Sequence, residues 1–203
     1  MKQVSSGKKC HQRTFISKEE KIASGPKVSK ERFTLLLGGN VAGDFKLKPL
    51  LVYKSETPRA MKNISKENLP VVWMSNKKGW IISKLFNYWF KIHFGPEIRK
   101  YWENNNLLHK ALLLVDNAPG HTINVDNMAD NINVLFLPPN TTSLIQLMDQ
   151  GVIAAFKKIC LRRSFNNLIK EIDPQSNENN DVIRNFWKEY DIMQAVVCKK
   201  KKT

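Results

Sequence analysis

Cysteine is nearly missing from this chain: Cys10, Cys160 and Cys198 are odd in number and far apart. No CxxC pair or Cys/His cluster occurs, which argues against a structural zinc and against a disulfide framework. A reducing compartment is the simplest expectation. Long apolar runs are also missing. None approaches the ~18 residues of a membrane span, and Met1-Lys2-Gln3-Val4-Ser5-Ser6 has no signal-peptide core. A soluble protein with no membrane partner is therefore expected. No internal repeat is visible. Acid is scarce relative to base. Eighteen Asp and Glu stand against 33 Lys and Arg, leaving +15 and a pI near 9.8. So large an imbalance favours polyanionic partners, nucleic acid first.

What the chain does have is enough apolar content, 42% of 203 residues, for one ordinary core with tails. Residues 1–31 are polar and basic, with only Arg13-Thr14-Phe15-Ile16 offering a short strand. Phe33 to Gly38 and Leu47 to Tyr53 are apolar runs separated by the turn-like Val41-Ala42-Gly43-Asp44, which predicts an antiparallel hairpin. Residues 55–78 read as loop. Ile82, Leu85, Phe86, Trp89, Phe90 and His93 then recur at helical spacing. A further short helix is expected from Pro96 to Glu103, then strands at Ala111–Val115 and Ile132–Leu137. A long helix is expected over 148–171, with Val152, Ile153, Phe156, Ile159, Cys160, Phe165, Leu168 and Ile169 as its apolar positions. A polar linker, Asp173 to Asp181, precedes a last helix at about 182–197 and the run Lys199 to Lys202. The order implies an α/β protein with a mixed sheet and flanking helices. Its expected divisions are a basic segment at 1–31, the main domain at 32–172, and a linker, helix and tail at 173–203.

Two acids stand where metal-dependent chemistry would place them. Asp116 ends the apolar run Ala111-Leu112-Leu113-Leu114-Val115 and precedes Asn117-Ala118-Pro119-Gly120-His121. Asp149 lies in Gln146-Leu147-Met148-Asp149-Gln150-Gly151, at the start of a helical segment. A hard cation wants carboxylate oxygens brought together from different elements, and α/β sheets gather ligands beyond the carboxyl ends of their strands. The plainer reading is that Asp116 is a turn former and Asp149 a helix cap. His121 reads as a turn residue before it reads as a ligand. Trp80, Phe86, Trp89 and Phe90 form a stripe for which core packing outweighs base stacking. Lys77-Lys78 and Arg162-Arg163 suit phosphate contacts or an ordinary solvated face equally well. The run Lys199 to Lys202 suits nuclear import, phosphate binding or simple solubilisation.

The wording around these acids is specific. Leu112-Leu113-Leu114-Val115-Asp116-Asn117-Ala118-Pro119-Gly120-His121 resembles the signature of the DDE-superfamily endonuclease domain of pogo/Tigger transposases. So does Val134-Leu135-Phe136-Leu137-Pro138-Pro139-Asn140-Thr141-Thr142-Ser143, followed by Gln146 and Met148-Asp149-Gln150-Gly151-Val152-Ile153. Arg32 to Leu37, Ala42 to Leu50, Pro58-Arg59-Ala60, Asn76 to Trp80 and Phe156 through Phe165 continue the match in one register, from about residue 8 to about 195. The nearest resemblance is to Tigger transposable-element-derived proteins, relatives of jerky and centromere protein B.

This resemblance implies a ribonuclease-H-like fold and a nuclease with three acidic ligands for Mg2+ or Mn2+. Asp116 matches the second acid and Asp149 the third. It also implies DNA as the partner, a nuclear location and no small-molecule substrate, leaving the oligomeric state open. Two departures stand out. The family's first acid lies on its first, central strand, and Met1 to Gly7 occupy that place with no acid. Asp44 is no substitute, because it matches the hairpin turn. The family's helix-turn-helix region is not among these residues, and Leu147 stands where the family usually has Pro. A ribonuclease-H-like fold lacking its first central strand is therefore expected, since Met1 to Gly7 is poor in β-formers. Weak, largely sequence-independent DNA binding and defective catalysis should follow, with Asp116 and Asp149 as the remaining metal and catalytic residues. The alternatives are an enzyme completed by an acid from a partner chain or a longer isoform, and a non-enzymatic nuclear DNA-binding or protein-interaction module.

Overall fold

The apolar runs flanking Val41–Asp44 do pair. In this computed structural model, which describes residues 2–7, 32–117, 131–138, 148–172 and 179–197, β2 (Arg32–Leu37) runs antiparallel to β3 (Leu50–Tyr53), with Leu35 opposite Leu51. A bridge between Gly39 and Lys46 extends the hairpin. Asn40 closes its tip, its Oδ1 accepting from the Gly43 and Phe45 amides.

Two further strands depart from expectation. β1 (Lys2–Gly7) lies antiparallel along β2, from Lys2 opposite Leu37 to Gly7 opposite Arg32. Its residues are weak β-formers, but an unpaired edge of β2 offers them ladder bonds, and pairing outweighs propensity. The other is β4 (Val72–Ser75), which pairs in parallel with β3 inside the stretch expected to be loop. Four residues between Pro70 and Lys77-Lys78 are too few to show a period, and the strand exists because β3 stands beside it. Short 3-10 turns at Arg59–Met61 and Lys66–Asn68 fill the rest of the crossover. The sheet order is β1-β2-β3-β4, a mixed sheet; β5 (Ala111–Val115) and β6 (Ile132–Phe136) form a separate parallel pair.

The expected pair of helices after Trp80 is one continuous run. α1 (Ser83–Trp89) passes through a π turn at Phe90–Phe94 into α2 (Gly95–Asn104). Pro96 explains the widened turn, because it has no N–H for a carbonyl one turn back and its ring crowds that carbonyl. A second π turn, Met148–Val152, leads into α3 (Ile153–Glu171), so the expected extent 148–171 is observed. The expected final helix is split into α4 (Asn179–Glu189) and α5 (Ile192–Val197). The break is chemical: Asp191 Oδ1 accepts from the Gln194 amide, and Gln194 Oε1 accepts from the Asp191 amide, each at 3.0 Å. That reciprocal box starts a new helix.

Side chains alternate along β2, β3 and β4, and both faces of these three strands are buried. Leu36, Leu50, Val52, Val72 and Met74 face a core completed by Phe86, Trp89, Phe90, Phe94, Ile98 and Trp102 of the long helical run and by Leu113, Val115 and Ile132 of β5 and β6. Leu35, Leu51 and Tyr53 face the other way, against Met61, Leu69, Val71 and, from α5, Ile192 and Val196. On α3 the expected apolar face is only partly used. Ile153 and Leu168 are buried and Phe156 is half-buried, whereas Val152, Ile159 and Ile169 are exposed. Among the described residues no helix is long and apolar enough to cross a membrane. The strand expected at Arg13–Ile16, residues 173–178 of the linker expected at 173–181, and the run Lys199–Lys202 lie outside the described residues; residues 179–181 of that linker instead open α4.

Candidate metal centre and nucleic-acid surface

β5 and β6 hold their parallel register along their full length, Val115 opposite Phe136. Beyond that last pair the Leu137 amide still donates to the Val115 carbonyl at 2.9 Å. The backbone is therefore fixed up to the residue before Asp116. Val115 is wholly buried, and Asp116 itself is 8% exposed, a carboxylate set at the carboxyl end of a parallel strand pair. That is where open α/β sheets collect ligands.

Asp149 falls inside the π turn that opens the α3 helix. Gly151, two residues on, has a φ of +119°, a conformation that a Cβ would oppose. The glycine thus shapes the entry of the chain into the helix just after Asp149. Met148, immediately before it, reaches the hairpin: its terminal methyl lies 4.0 Å from where a Cβ on Gly39 would stand. For Asp149 the structure describes the backbone only. His121, Pro139–Ser143, Gln146 and Leu147 lie outside the described residues.

A hard divalent cation needs several oxygen ligands. Asp116 has the chemistry and the setting for one of them. Among the described residues no three His, Cys, Asp or Glu side chains gather as a metal-binding set. Asp44 belongs to the turn between β2 and β3. It sits exposed in the hairpin turn, accepting from Asn40 Nδ2 and from the Tyr101 hydroxyl. These two bonds, Asn40 first, hold its carboxyl below the usual range. Lys2 to Gly7, now a strand beside β2, carries no carboxylate.

The aromatic stripe divides. Phe86, Trp89 and Phe90 are buried, as core packing requires, but Trp80 is 55% exposed. The expectation that Trp80 belongs to the core is corrected, because it precedes α1 and sits on a turn of its own. Its signal in the sequence was Lys77-Lys78-Gly79 directly before it, a turn composition rather than a helical one. Lys77, Lys78 and Arg162 are exposed, and Arg163 is half-buried.

A family model described as a DDE superfamily endonuclease matches residues 30–201. The Jerky protein homolog of Homo sapiens is 35% identical over 136 residues, covering 66% of this chain and 24% of that protein. Tigger transposable element-derived protein 7 of Homo sapiens is 35% identical over 149 residues, 70% of this chain and 27% of that protein. Tigger transposable element-derived protein 4 of Mus musculus is 32% identical over 156 residues, 75% of this chain and 28% of that protein. The chain thus spans about a quarter of the length of the curated relatives it matches. No solved structure matches it significantly.

Proposed function

This chain belongs to the DDE superfamily endonuclease family, and on that premise we propose that it is a transposase-derived DNA-binding domain with an incomplete nuclease centre. The observation that carries this reading is Asp116, a buried carboxylate at the end of the parallel β5–β6 pair. Asp116 and Asp149 are the metal ligands in this reading, holding Mg2+ or Mn2+, the ions that would stabilise charge on a transferring phosphoryl group. The mixed sheet with helices on both faces is compatible with a ribonuclease-H-like arrangement. In that arrangement β1 takes the place of the strand that carries the first acid in the family, and its six residues supply none.

Two ligands in place of three weaken both the affinity for the ion and its placement. Phosphoryl transfer at such centres depends on position and charge, so a small loss of geometry is a large loss of rate. These 203 residues therefore bind DNA through their basic surface and cut it poorly as they stand. Binding is weak and governed by phosphate contacts, hence insensitive to sequence and steeply sensitive to salt. The nucleus is the compartment that fits such a partner.

A plasmid nicking assay in Mg2+ or Mn2+ tests the reading. The expected result is salt-sensitive retention of DNA with little nicking, and a gain of nicking when an upstream acidic strand of the family type is added. Robust cleavage by the chain alone, abolished by Asp116→Ala, would overturn the defect. DNA binding and metal response both unchanged in the Asp116→Ala/Asp149→Ala double variant would instead favour a non-enzymatic module.

A further inference from the structure

The turn Asn76–Trp80 presents a large aromatic side chain to solvent on a tightly fixed backbone. The Asn76 amide donates to the Tyr53 carbonyl at 2.9 Å, continuing the β3–β4 ladder, and the Gly79 amide donates to the Asn76 carbonyl at 2.7 Å. The Asn76 side chain closes the loop from within, its Oδ1 accepting from the Lys78 amide at 3.3 Å and its Nδ2 donating to the Trp80 carbonyl at 3.0 Å. The buried Thr34 hydroxyl donates to the Gly79 carbonyl at 2.8 Å. Gly79 and Ile81, on either side of Trp80, are buried, and Ile81 belongs to the main core. Trp80 between them is 55% exposed.

The surroundings of this indole are cationic. Lys77 and Lys78 are exposed on the turn itself. Gly79 packs so close to β2 and to the end of β3 that a Cβ there would stand 3.3 Å from the Arg32 carbonyl and 3.6 Å from the Lys54 amide. Arg32 and Lys54 are exposed as well, the Lys54 ammonium lying 5.8 Å from the centroid of the Tyr53 ring. Glu56, two residues beyond Lys54, is engaged by Lys66 at 3.1 Å.

A flat, pre-positioned π surface next to Lys77 and Lys78, on a turn packed against the backbones of Arg32 and Lys54, suits a polyanion that carries flat rings. In a duplex the base faces are already stacked on each other, so an exposed indole gains most from a base that has no neighbour. We propose that Trp80, with Lys77, Lys78, Arg32 and Lys54, forms a platform for an unpaired segment of DNA: a base stacks on the indole and the phosphates follow the cations. This rests on the DNA-binding reading above and adds a place and a strand preference to it.

Fluorescence anisotropy with a labelled oligothymidylate of about twenty nucleotides, its duplex and an abasic strand of equal charge tests the platform. Trp80→Ala should weaken oligothymidylate binding by about 5- to 100-fold, leave the duplex nearly unchanged, and cause no further loss on the abasic strand. Trp80→Phe should restore most of the affinity. Lys77→Ala/Lys78→Ala should lower the slope of log affinity against log salt by about 1.4 on single strands. Unmodified protein should prefer oligothymidylate over the abasic strand by a similar factor, an arm that needs no variant to fold. Equal binding of the two strands overturns the platform, as does an unaltered Trp80→Ala or a loss of equal size on the abasic strand. Displacement of oligothymidylate by polyglutamate of matched charge would point to an acidic peptide instead and overturn it too. Absence of binding to every DNA would overturn the DNA-binding reading along with it, whereas intact duplex binding with a neutral Trp80→Ala removes the platform alone.

Discussion

The Tyr101 hydroxyl on α2 donates to Asp44 Oδ2 at 3.0 Å, fastening the helix to a hairpin tip that is 57 residues away in sequence. The Tyr101 ring packs on Phe45 with centroids 4.6 Å apart, so the fastening has an apolar and a polar half. Lys48 strengthens the same seam, its amide donating to Glu97 Oε2 at 3.3 Å. The helical run that completes the main core is thereby held in place over the hairpin.

Asp44 has a carboxyl lowered from 3.8 by its bonds to Asn40 and then Tyr101. Its stabilising effect is fully present above the unfolded value and is lost as pH falls through the lower folded value. The Tyr101 hydroxyl is raised from 10.0, first by that same bond to Asp44. Its effect is present below pH 10.0 and is lost as pH rises through the higher folded value. The melting difference between native protein and Tyr101→Phe should therefore be flat from about pH 5 to pH 9 and shrink on both sides. A difference that does not shrink in acid would mean that the bond is not made in solution.

Trp89 and Phe86 are both sealed in the main core, but only one carries an unanswered polar group. The Trp89 indole N–H is buried and has no acceptor among the described residues. Trp89→Phe removes that donor along with some apolar area, so its cost should stay within about 1.5 kcal/mol. Phe86→Ala opens a cavity and should cost about 3–5 kcal/mol. Urea denaturation of the two variants gives the comparison, and equal losses would mean that the indole N–H has an acceptor.

Gly79 and Gly151 both have positive φ, +66° and +119°. A Cβ at 79 would also press on the Arg32 carbonyl at 3.3 Å, while at 151 nothing lies within 4 Å among the described residues. Gly79→Ala should cost more than the ~1–2 kcal/mol of the backbone conformation alone, and Gly151→Ala about that amount. Chemical denaturation ranks them. A smaller effect at 79 would mean that the Asn76–Trp80 turn is free to shift.

Metal binding by Asp116 and Asp149 has a readout that does not need cleavage. An ion that binds only the folded chain stabilises it by about 1.4 kcal/mol at ten times its dissociation constant. Mn2+ should raise the melting temperature of the native protein, and Asp116→Asn and Asp149→Asn should each abolish most of that rise. If either variant keeps the full rise, the corresponding carboxylate is not a ligand.

The last helix offers a test of where the domain ends. Ile192 and Val196 are buried against Leu35, Leu51 and Tyr53 of the sheet. Ile192→Ala should cost about 2–4 kcal/mol, and a chain ending at Ile172 should melt non-cooperatively or not remain folded. If that shortened chain unfolds like the full one, residues 173–203 form an appendage.

The hairpin was legible because each of its strands is an apolar run with a turn of Gly and Asp between. The strand before Asp116 was legible for a similar reason, five apolar residues stopped by a polar turn. β1 and β4 were not, because neither Lys2–Gly7 nor Val72–Ser75 has a pattern of its own; each forms where a neighbouring strand offers a ladder. Trp80 was misplaced because the spacing of Phe86 and Trp89 was extended back past the start of α1 at Ser83, into the turn that Gly79 shapes with its positive φ. The extent of the 148–171 helix was read correctly but its buried face was not, since periodicity shows which positions align and not how many of them meet a partner.

The double-faced sheet also sets an order on how the chain can be completed. Leu35 and Leu51 emerge early in synthesis, but the residues that cover them, Ile192 and Val196, follow about 160 and 140 positions later. Until those residues leave the ribosome, one face of the hairpin is covered only in part, by Met61, Leu69 and Val71, and the rest is an adhesive apolar surface on a nascent chain. That face is therefore closed only once α5 has been made, and the docking of α5 onto strands synthesised long before should come late in folding.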